Sequence, residues 1–179
     1  MENIVSLDLE LNQLNNQPKI IQIGLTVAHL PTRKIIESKS IMVNPGEGIT
    51  EYISTLTGIT DYQVKDAPNT QEAYQEMCSY LKQFNVHKMP IVWGNGDVWA
   101  IKKEVGTIGD EWPFGWREMD VKTLVQAIAM ANNGQVQGGL AKSMSRYGLR
   151  FQGRKHNAED DSKNTMLMYF KILDILKGV

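Results

Sequence analysis

The chain has 179 residues, of which 42% are hydrophobic and 22% charged, values that are ordinary for one globular domain over residues 1–179. No apolar run is long enough to span a bilayer, and a strand pattern directly after the acidic Glu2 does not fit a secretory signal. We therefore expect no membrane association. The single cysteine, Cys78, predicts a reducing compartment such as the cytoplasm. A net charge of −1 excludes a globally basic surface, so any nucleic-acid binding must depend on a local patch.

The first apolar run, residues 3–11, alternates apolar side chains with Ser6, Asp8 and Glu10. Strict alternation predicts a strand, in which Asp8 and Glu10 share one face. Two carboxylates about 7 Å apart on a strand repel each other unless positive charge lies between them, and hard divalent cations favour carboxylate oxygens. The pair is therefore either part of a cation site or the acidic outer face of a half-exposed strand.

Further strands are predicted over residues 20–27 and 34–43, and the polar residues 12–18 between the first two predict a loop or a tight hairpin. Three consecutive strands joined by short turns indicate an antiparallel meander. Asn44-Pro45-Gly46 ends this part of the chain.

Beyond residue 50, helices and strands alternate, which predicts an α/β fold with helices packed on a mixed sheet. Thr70 is the expected N-cap of the first long helix. The predicted helices cover residues 51–56, 61–64, 70–84, 97–104, 121–131, 138–147 and 157–177, and the predicted strands cover 89–93 and 119–121.

Two further acidic sites follow. Asp97 comes after Gly94-Asn95-Gly96 and is either a ligand at a glycine turn or a helix N-cap. His156 and Asp161 are five residues apart and would not share a helix face. They converge only if His156 lies on a loop, Asn157 caps the helix, and Asp161 lies in its first turns. The alternative is a surface histidine followed by acids that favour a helix N-terminus.

Together these positions resemble the DnaQ-like (DEDDh) 3′→5′ exonuclease family, recognised by Asp8-x-Glu10, by Asp97 after a strand, and by His156 with Asp161. Nearly the whole chain shares the resemblance. The supporting segments are Ile20-Ile21-Gln22-Ile23-Gly24, Leu56-Thr57-Gly58-Ile59 and Phe151-Gln152-Gly153-Arg154. The chain departs from the family after Glu10, where Leu11-Asn12-Gln13 stands in place of Thr-Thr-Gly or a similar segment.

The resemblance implies an RNase H-like mixed sheet and two divalent cations, Mg²⁺ or Mn²⁺. It implies that Asp8, Glu10, Asp97 and Asp161 bind these cations and that His156 is the general base. This fits the chemistry, because two cations can stabilise both oxygens of a phosphodiester displacement and a histidine titrates near neutral pH. The implied reaction releases 5′-mononucleotides from single-stranded DNA or RNA 3′ ends.

Substrate contacts are predicted beside these acids. Leu11 and Asn12 occupy the segment that touches the terminal nucleotide in the family. The basic residues Arg146, Arg150, Arg154 and Lys155 precede His156 and either hold phosphates or form a solvated loop. Trp99, Trp112, Phe114 and Trp116 either stack unpaired bases or belong to the core.

Three rival functions stay open at this stage: an adaptor module that has lost catalysis, a partner-dependent proofreading subunit, and an RNase H-type endonuclease. The complete set of acids with His156 disfavours the first, and the spacing from His156 to Asp161 disfavours the last. A homodimer is possible, since several small relatives in the family are dimers. The natural sugar, DNA or RNA, is not determined by the sequence.

Overall fold

The computed structural model describes residues 2–14, 16–132, 134 and 138–178. In this part of the chain the strands are β1 (Asn3–Leu14), β2 (Gln17–His29), β3 (Lys34–Met42), β4 (Ile91–Val92) and β5 (Met119–Asp120). The helices are α1 (Glu51–Thr57), α2 (Asp61–Val64), α3 (Thr70–Lys82), α4 (Asp97–Val105), α5 (Val121–Ala131), α6 (Leu140–Arg146) and α7 (Ala158–Lys177). None of these helices is both long and apolar enough to cross a bilayer.

The five strands form one sheet in the order β3-β2-β1-β4-β5. The first three strands pair antiparallel, whereas β4 pairs parallel with β1 and with β5. Helix α4 forms the crossover between the parallel neighbours β4 and β5, as their strand direction requires. The predicted mixed sheet, with an antiparallel meander at its start and helices around it, is confirmed.

The hairpin between β1 and β2 is longer than the predicted strands. Asn12 pairs with Lys19 and Leu14 with Gln17, so only a tight connection is left between the strands. Of the two predictions for residues 12–18, the tight hairpin is the correct one. The full length of these strands could not be predicted from the sequence, because the alternation of apolar residues stops before the backbone pairing does.

Helix α3 begins one residue away from its predicted cap. Asn69 is the N-cap, and its side chain accepts hydrogen bonds from the backbone N–H groups of Gln71 and Glu72. The Glu72 carboxylate in turn accepts from the Asn69 N–H at 2.9 Å, which completes a capping box. The prediction of Thr70 as the cap was wrong, and its hydroxyl donates instead to the Glu104 carboxylate at 2.6 Å.

Both faces of β1 are covered. Val5, Leu7 and Leu9 belong to a core that includes residues of α3, whereas Ile4 packs into a second core that includes Met166 and other residues of α7. Since strand side chains alternate between faces, Ser6, Asp8 and Glu10 point with Ile4 toward α7. The fold therefore places the acidic pair under the last helix.

The aromatic residues divide between core and surface. Trp112 stacks on Tyr74 with ring centres 6.1 Å apart and meets Phe114 edge-on at 5.2 Å. Trp112 and Phe114 therefore fit the core interpretation. Trp99 and Trp116 are exposed, and neither contributes to these contacts.

Candidate active site

Residues of β2 contact the N-terminus of α7 and position it above the two acids of β1. Gly24 pairs with Asp8 and Gln22 pairs with Glu10. A Cβ atom at Gly24 would collide with the carbonyl group of Ala158, so the absence of a side chain allows the helix to approach. The Gln22 amide oxygen accepts a hydrogen bond from the Ala158 N–H at 2.9 Å. These two contacts fix where the residues around the start of α7 lie.

His156 and Asp161 converge in the arrangement that the sequence predicted. Asn157 is the N-cap of α7, and His156 lies on the preceding loop with a left-handed φ of 59°. Its backbone N–H donates to the Asp161 carboxylate at 2.9 Å. Glu10, His156 and Asp161 each offer a ligand atom within 4.8 Å of the others. The first and last motifs of the chain thus meet at one point.

Asp160, the neighbour of Asp161, holds the loop that leads to the site. Its carboxylate accepts a hydrogen bond from the Arg154 N–H at 2.8 Å. It also packs closely against Gly153, whose φ is 79°. These contacts leave Asp161, and not Asp160, directed toward Glu10 and His156.

Asp97 is the first residue of α4 and follows Gly96, which is the N-cap. The turn before it is tied to β5, because the Asp120 carboxylate accepts from the Gly94 N–H at 2.8 Å. Burial, and then the charge of the nearby Glu118, raise the pKa of Asp97. One carboxylate oxygen of Glu118 is buried and has no hydrogen-bond partner among the described residues. Asp97 is therefore held beside the other acids without being the cap of its own helix.

Burial raises the pKa of all four acids, and the charges of neighbouring acids add to this effect. Burial, followed by the charges of neighbouring acids, raises the pKa of Glu10 to about 7 and that of Asp8 well above its ordinary value. Burial is also the largest cause that raises the pKa of Asp97 to about 7 and that of Asp161 to about 6. Among the described residues, none of the four forms an ion pair. A set of oxygen donors with raised pKa and no partner cation fits hard divalent cations.

A cavity of about 440 Å³ opens at three of these acids, Asp8, Glu10 and Asp161, whereas Asp97 does not line it. It places carboxylates beside apolar and basic side chains, which suits a ligand with both a phosphate and a flat ring. Its lining includes Asp8, Glu10, Trp93, Leu140, Phe151, Lys155, His156 and Asp161.

The predicted basic residues are distributed unevenly around the cavity. Lys155 lines it. The Arg154 guanidinium instead lies against Gly58, at the C-terminus of α1, and Arg150 is exposed. The cluster is thus divided between the cavity and its surroundings.

Leu11 and Asn12 differ in what their side chains are free to do. Leu11 is partly exposed and lines a neighbouring cavity. Asn12 is buried, and its amide donates to Glu47 at 2.8 Å and to the Gly48 carbonyl at 3.0 Å. Its amide oxygen accepts from the Thr50 N–H at 3.0 Å. The Asn12 side chain is therefore occupied within the protein.

Sequence reasoning missed residues that position the site. Gln22 and Gly24 were noted only as part of a resembling segment, although a single amide inside the apolar run 20–25 was a signal that it meets a polar partner. Glu118 gave no such signal. Its place beside Asp97 depends on the parallel pairing of β4 with β5, which local sequence does not reveal.

Comparisons with known proteins identify an exonuclease family. The profile of the exonuclease family RNase_T matches residues 5–169. ERI1 exoribonuclease 2 of Mus musculus is 22% identical over 89% of this chain and 26% of its own length. PolC-type DNA polymerase III of Caldanaerobacter subterraneus subsp. tengcongensis is 34% identical over 79 residues, 44% of this chain and 6% of that protein. The chain thus spans only a small part of these curated relatives.

Solved structures share the fold at low sequence identity. Cell-death related nuclease 4 matches with a TM-score of 0.80 and 17% identity, over 98% of this chain and 64% of its own. The nuclease domain of 3′hExo, a DEDDh family member bound to rAMP, matches with a TM-score of 0.79 and 18% identity, over 99% and 93%. Exonuclease I gives 0.75 and 15%, over 98% and 41%.

The order of the strands and the helices around them are those of the RNase H-like fold that these solved structures share. The chain belongs to the exonuclease family RNase_T, whose profile covers most of its length.

Proposed function

We propose that this protein is a metal-dependent 3′→5′ exonuclease that releases 5′-mononucleotides from single-stranded DNA or RNA. The observation that carries the proposal is the convergence of four acids of raised pKa with His156. Membership of the exonuclease family supports the reaction class. The partner is the 3′ end of a polynucleotide.

Asp8, Glu10, Asp97 and Asp161 would hold two divalent cations, Mg²⁺ or Mn²⁺. The fit follows from the donor set, since the mutual repulsion of these carboxylates is relieved by positive charge between them. When bound, the cations supply the positive charge that stabilises the attacking and leaving oxygens of the displaced phosphate.

His156 is assigned the role of general base. A histidine titrates near neutral pH and can accept the proton of the attacking water. The hydrogen bond from its backbone N–H to Asp161 restricts the position of the ring relative to that acid. The contribution of His156 is therefore proton transfer beside the cations.

The substrate would be held by apolar and basic contacts around the acids. Leu11 would touch the terminal nucleotide, and Asn12 would keep that segment in place through its bonds to the loop at Gly48 and Thr50. Lys155 would contact a phosphate in the cavity. Arg150 and Arg154 would bind phosphates outside it. Cytoplasmic localisation and a homodimer stay predictions.

The test uses 5′-labelled single-stranded DNA and RNA oligomers of one sequence, incubated with Mg²⁺, Mn²⁺ or EDTA. We expect a ladder that shortens from the 3′ end and that EDTA abolishes, and the faster ladder identifies the preferred sugar. Products that begin inside the oligomer would indicate an endonuclease. Binding without any cleavage would contradict the proposal in favour of a retired module or a partner-dependent subunit.

A further inference from the structure

Helix α4 and the segment before β5 carry an exposed aromatic and basic surface that the proposed chemistry does not use. Trp99 is 61% exposed and Trp116 is fully exposed. The Lys103 ammonium lies 4.8 Å from the ring centre of Trp99, and the Lys102 ammonium lies 5.7 Å from that of Trp116. We call these four residues the tryptophan–lysine surface. Two large indoles left in water next to two cations indicate a binding surface.

This surface adjoins the acids. A cavity of about 320 Å³ is lined by Leu11, Trp99 and Lys103. Leu11 follows Glu10 on β1, and Asp97 is the first residue of α4. With a helical rise of 1.5 Å per residue, Trp99 and Lys103 lie about 3 and 9 Å from Asp97 along the axis of α4. Leu11 and Glu10 project from opposite faces of β1, and Trp99 lies about 200° around α4 from Asp97. A polynucleotide that ends at the acids would therefore reach Trp99 by passing around the end of β1 at Leu11.

The charge at this surface is positive although the whole chain carries −1. Lys19, which also lines the cavity, Lys102 and Lys103 form no ion pair within the part of the chain that the structure describes. The carboxylate of Glu104, which lines the same cavity, is engaged: it accepts from the Ile20 N–H at 2.8 Å and from the Thr70 hydroxyl at 2.6 Å. Two lysines beside indole rings, with Lys19 in the same cavity as Trp99, fit a polyanion that carries flat groups.

We propose that the tryptophan–lysine surface binds the nucleotides on the 5′ side of the terminal one, with a base stacked on Trp99 and the phosphates beside Lys102 and Lys103. This inference rests on the proposed function, because it is the acids that define where the 3′ end lies. A single-stranded polynucleotide presents bases and phosphates in alternation, and every base has a face on which an indole can stack. An acidic protein partner lacks this regular alternation.

The first test compares two substrates. Trp99→Ala should raise the KM for a single-stranded 12-mer about ten-fold, the effect of losing one stacked base. It should leave the hydrolysis of thymidine 5′-phosphate p-nitrophenyl ester unchanged, because that ester has no upstream nucleotide. Tyr62→Ala is the matched control, since Tyr62 is 77% exposed with the Lys65 ammonium 4.5 Å from its ring centre. An unchanged KM for the 12-mer, or an equal loss on both substrates, would overturn the inference.

The second test needs no catalysis and so separates this inference from the proposed function. The Kd of a fluorescein-labelled 12-mer is measured by anisotropy in EDTA at several salt concentrations. Trp99→Ala should weaken binding about ten-fold, and Lys103→Gln should reduce the slope of log Kd against log salt by about 0.7, the value for one phosphate of a single strand. Lys65→Gln should change neither quantity. If wild-type protein binds but cleaves nothing, only the proposed function fails. If Trp99→Ala binds as tightly as wild type, the inference is overturned.

Discussion

Four polar residues occupy alternate positions on β1, and the outer two differ from the inner two in their partners. Ser6 donates to the Ser162 carbonyl at 2.7 Å, and Asn12 makes three hydrogen bonds to the loop before α1. Asp8 and Glu10 lie between these two residues on β1. Within the described part of the chain, their carboxylates accept no hydrogen bond and form no ion pair. Buried polar groups in proteins are normally satisfied. The two outer residues of this strand face therefore stabilise the fold, whereas the two inner carboxylates are left available to bind a ligand.

The strongest test of this contrast replaces an inner residue. Asp8→Asn should abolish measurable hydrolysis, because a ligand of the proposed cations is lost. It should also raise the melting temperature of the metal-free protein at pH 8, because a repulsive charge is removed. Calorimetric titration with Mn²⁺ and thermal melts in EDTA check both effects. Asp66→Asn, at an acid whose side chain is 89% exposed, is the control. An unchanged Mn²⁺ affinity in Asp8→Asn would rule out Asp8 as a ligand.

Replacing the histidine above the inner pair separates proton transfer from cation binding. His156→Ala should lower kcat by roughly 10²- to 10⁴-fold, the range for loss of a general base, while Mn²⁺ affinity is largely retained. Because φ at this position is 59°, His156→Asn is the better-folded companion variant. Full activity in either variant would refute the assignment, and a collapse of Mn²⁺ affinity would make His156 a ligand instead.

Replacing an outer residue should affect stability and not chemistry. Asn12→Ala leaves the partly buried Thr50 N–H without its acceptor and should lower the free energy of unfolding by about 1–3 kcal/mol. Urea denaturation measures this loss. The kcat for the p-nitrophenyl ester should stay at the wild-type value while the variant is folded. Unchanged stability together with lost activity would show that the Asn12 side chain serves the substrate directly.

The smallest expected effect is a pH dependence of the metal-free protein. The pKa of Glu10 is raised from 4.5 to about 7, so the folded state holds this proton more tightly than the unfolded chain does. The resulting stability is fully present below pH 4.5 and is lost as the pH rises through about 7. Melting temperatures in EDTA at constant ionic strength should therefore fall between pH 5 and pH 8, and Glu10→Gln should flatten the curve. A rise over this range in wild-type protein would contradict the raised pKa.

Local patterns in the sequence were sufficient for most of the fold. Alternation around Asp8 and Glu10 predicted β1, and the spacing from His156 to Asp161 predicted a loop followed by a capped helix. The extension of the hairpin at Asn12 was not predicted definitely, because its polar side chains face partners that are distant in sequence. The cap at Asn69 was missed for a simpler reason, since its neighbour Thr70 is also a good capping residue.

The sequence predicted the acids and the histidine of the candidate site, but not the residues that position them. The acids and His156 formed a recognisable set of spacings. The order of the strands and the packing of α7 determine how deeply the acids are buried. They also determine the contacts of Gln22 and Gly24 with the start of α7 and the proximity of Glu118 to Asp97. The exposure of Trp99 likewise could not be inferred, because an aromatic residue in an amphipathic helix is more often buried.

The meeting of β1 with α7 also has a consequence during protein synthesis. Ser6 and Ser162 are 156 positions apart, and Gln22 and Ala158 are 136 apart. The ribosome releases the N-terminal strands first, and contacts over such separations form only after the intervening chain has emerged. A nascent chain that lacks α7 therefore holds Asp8 and Glu10 without Asp161. Translation itself therefore delays assembly of the acidic cluster until α7 has emerged from the ribosome.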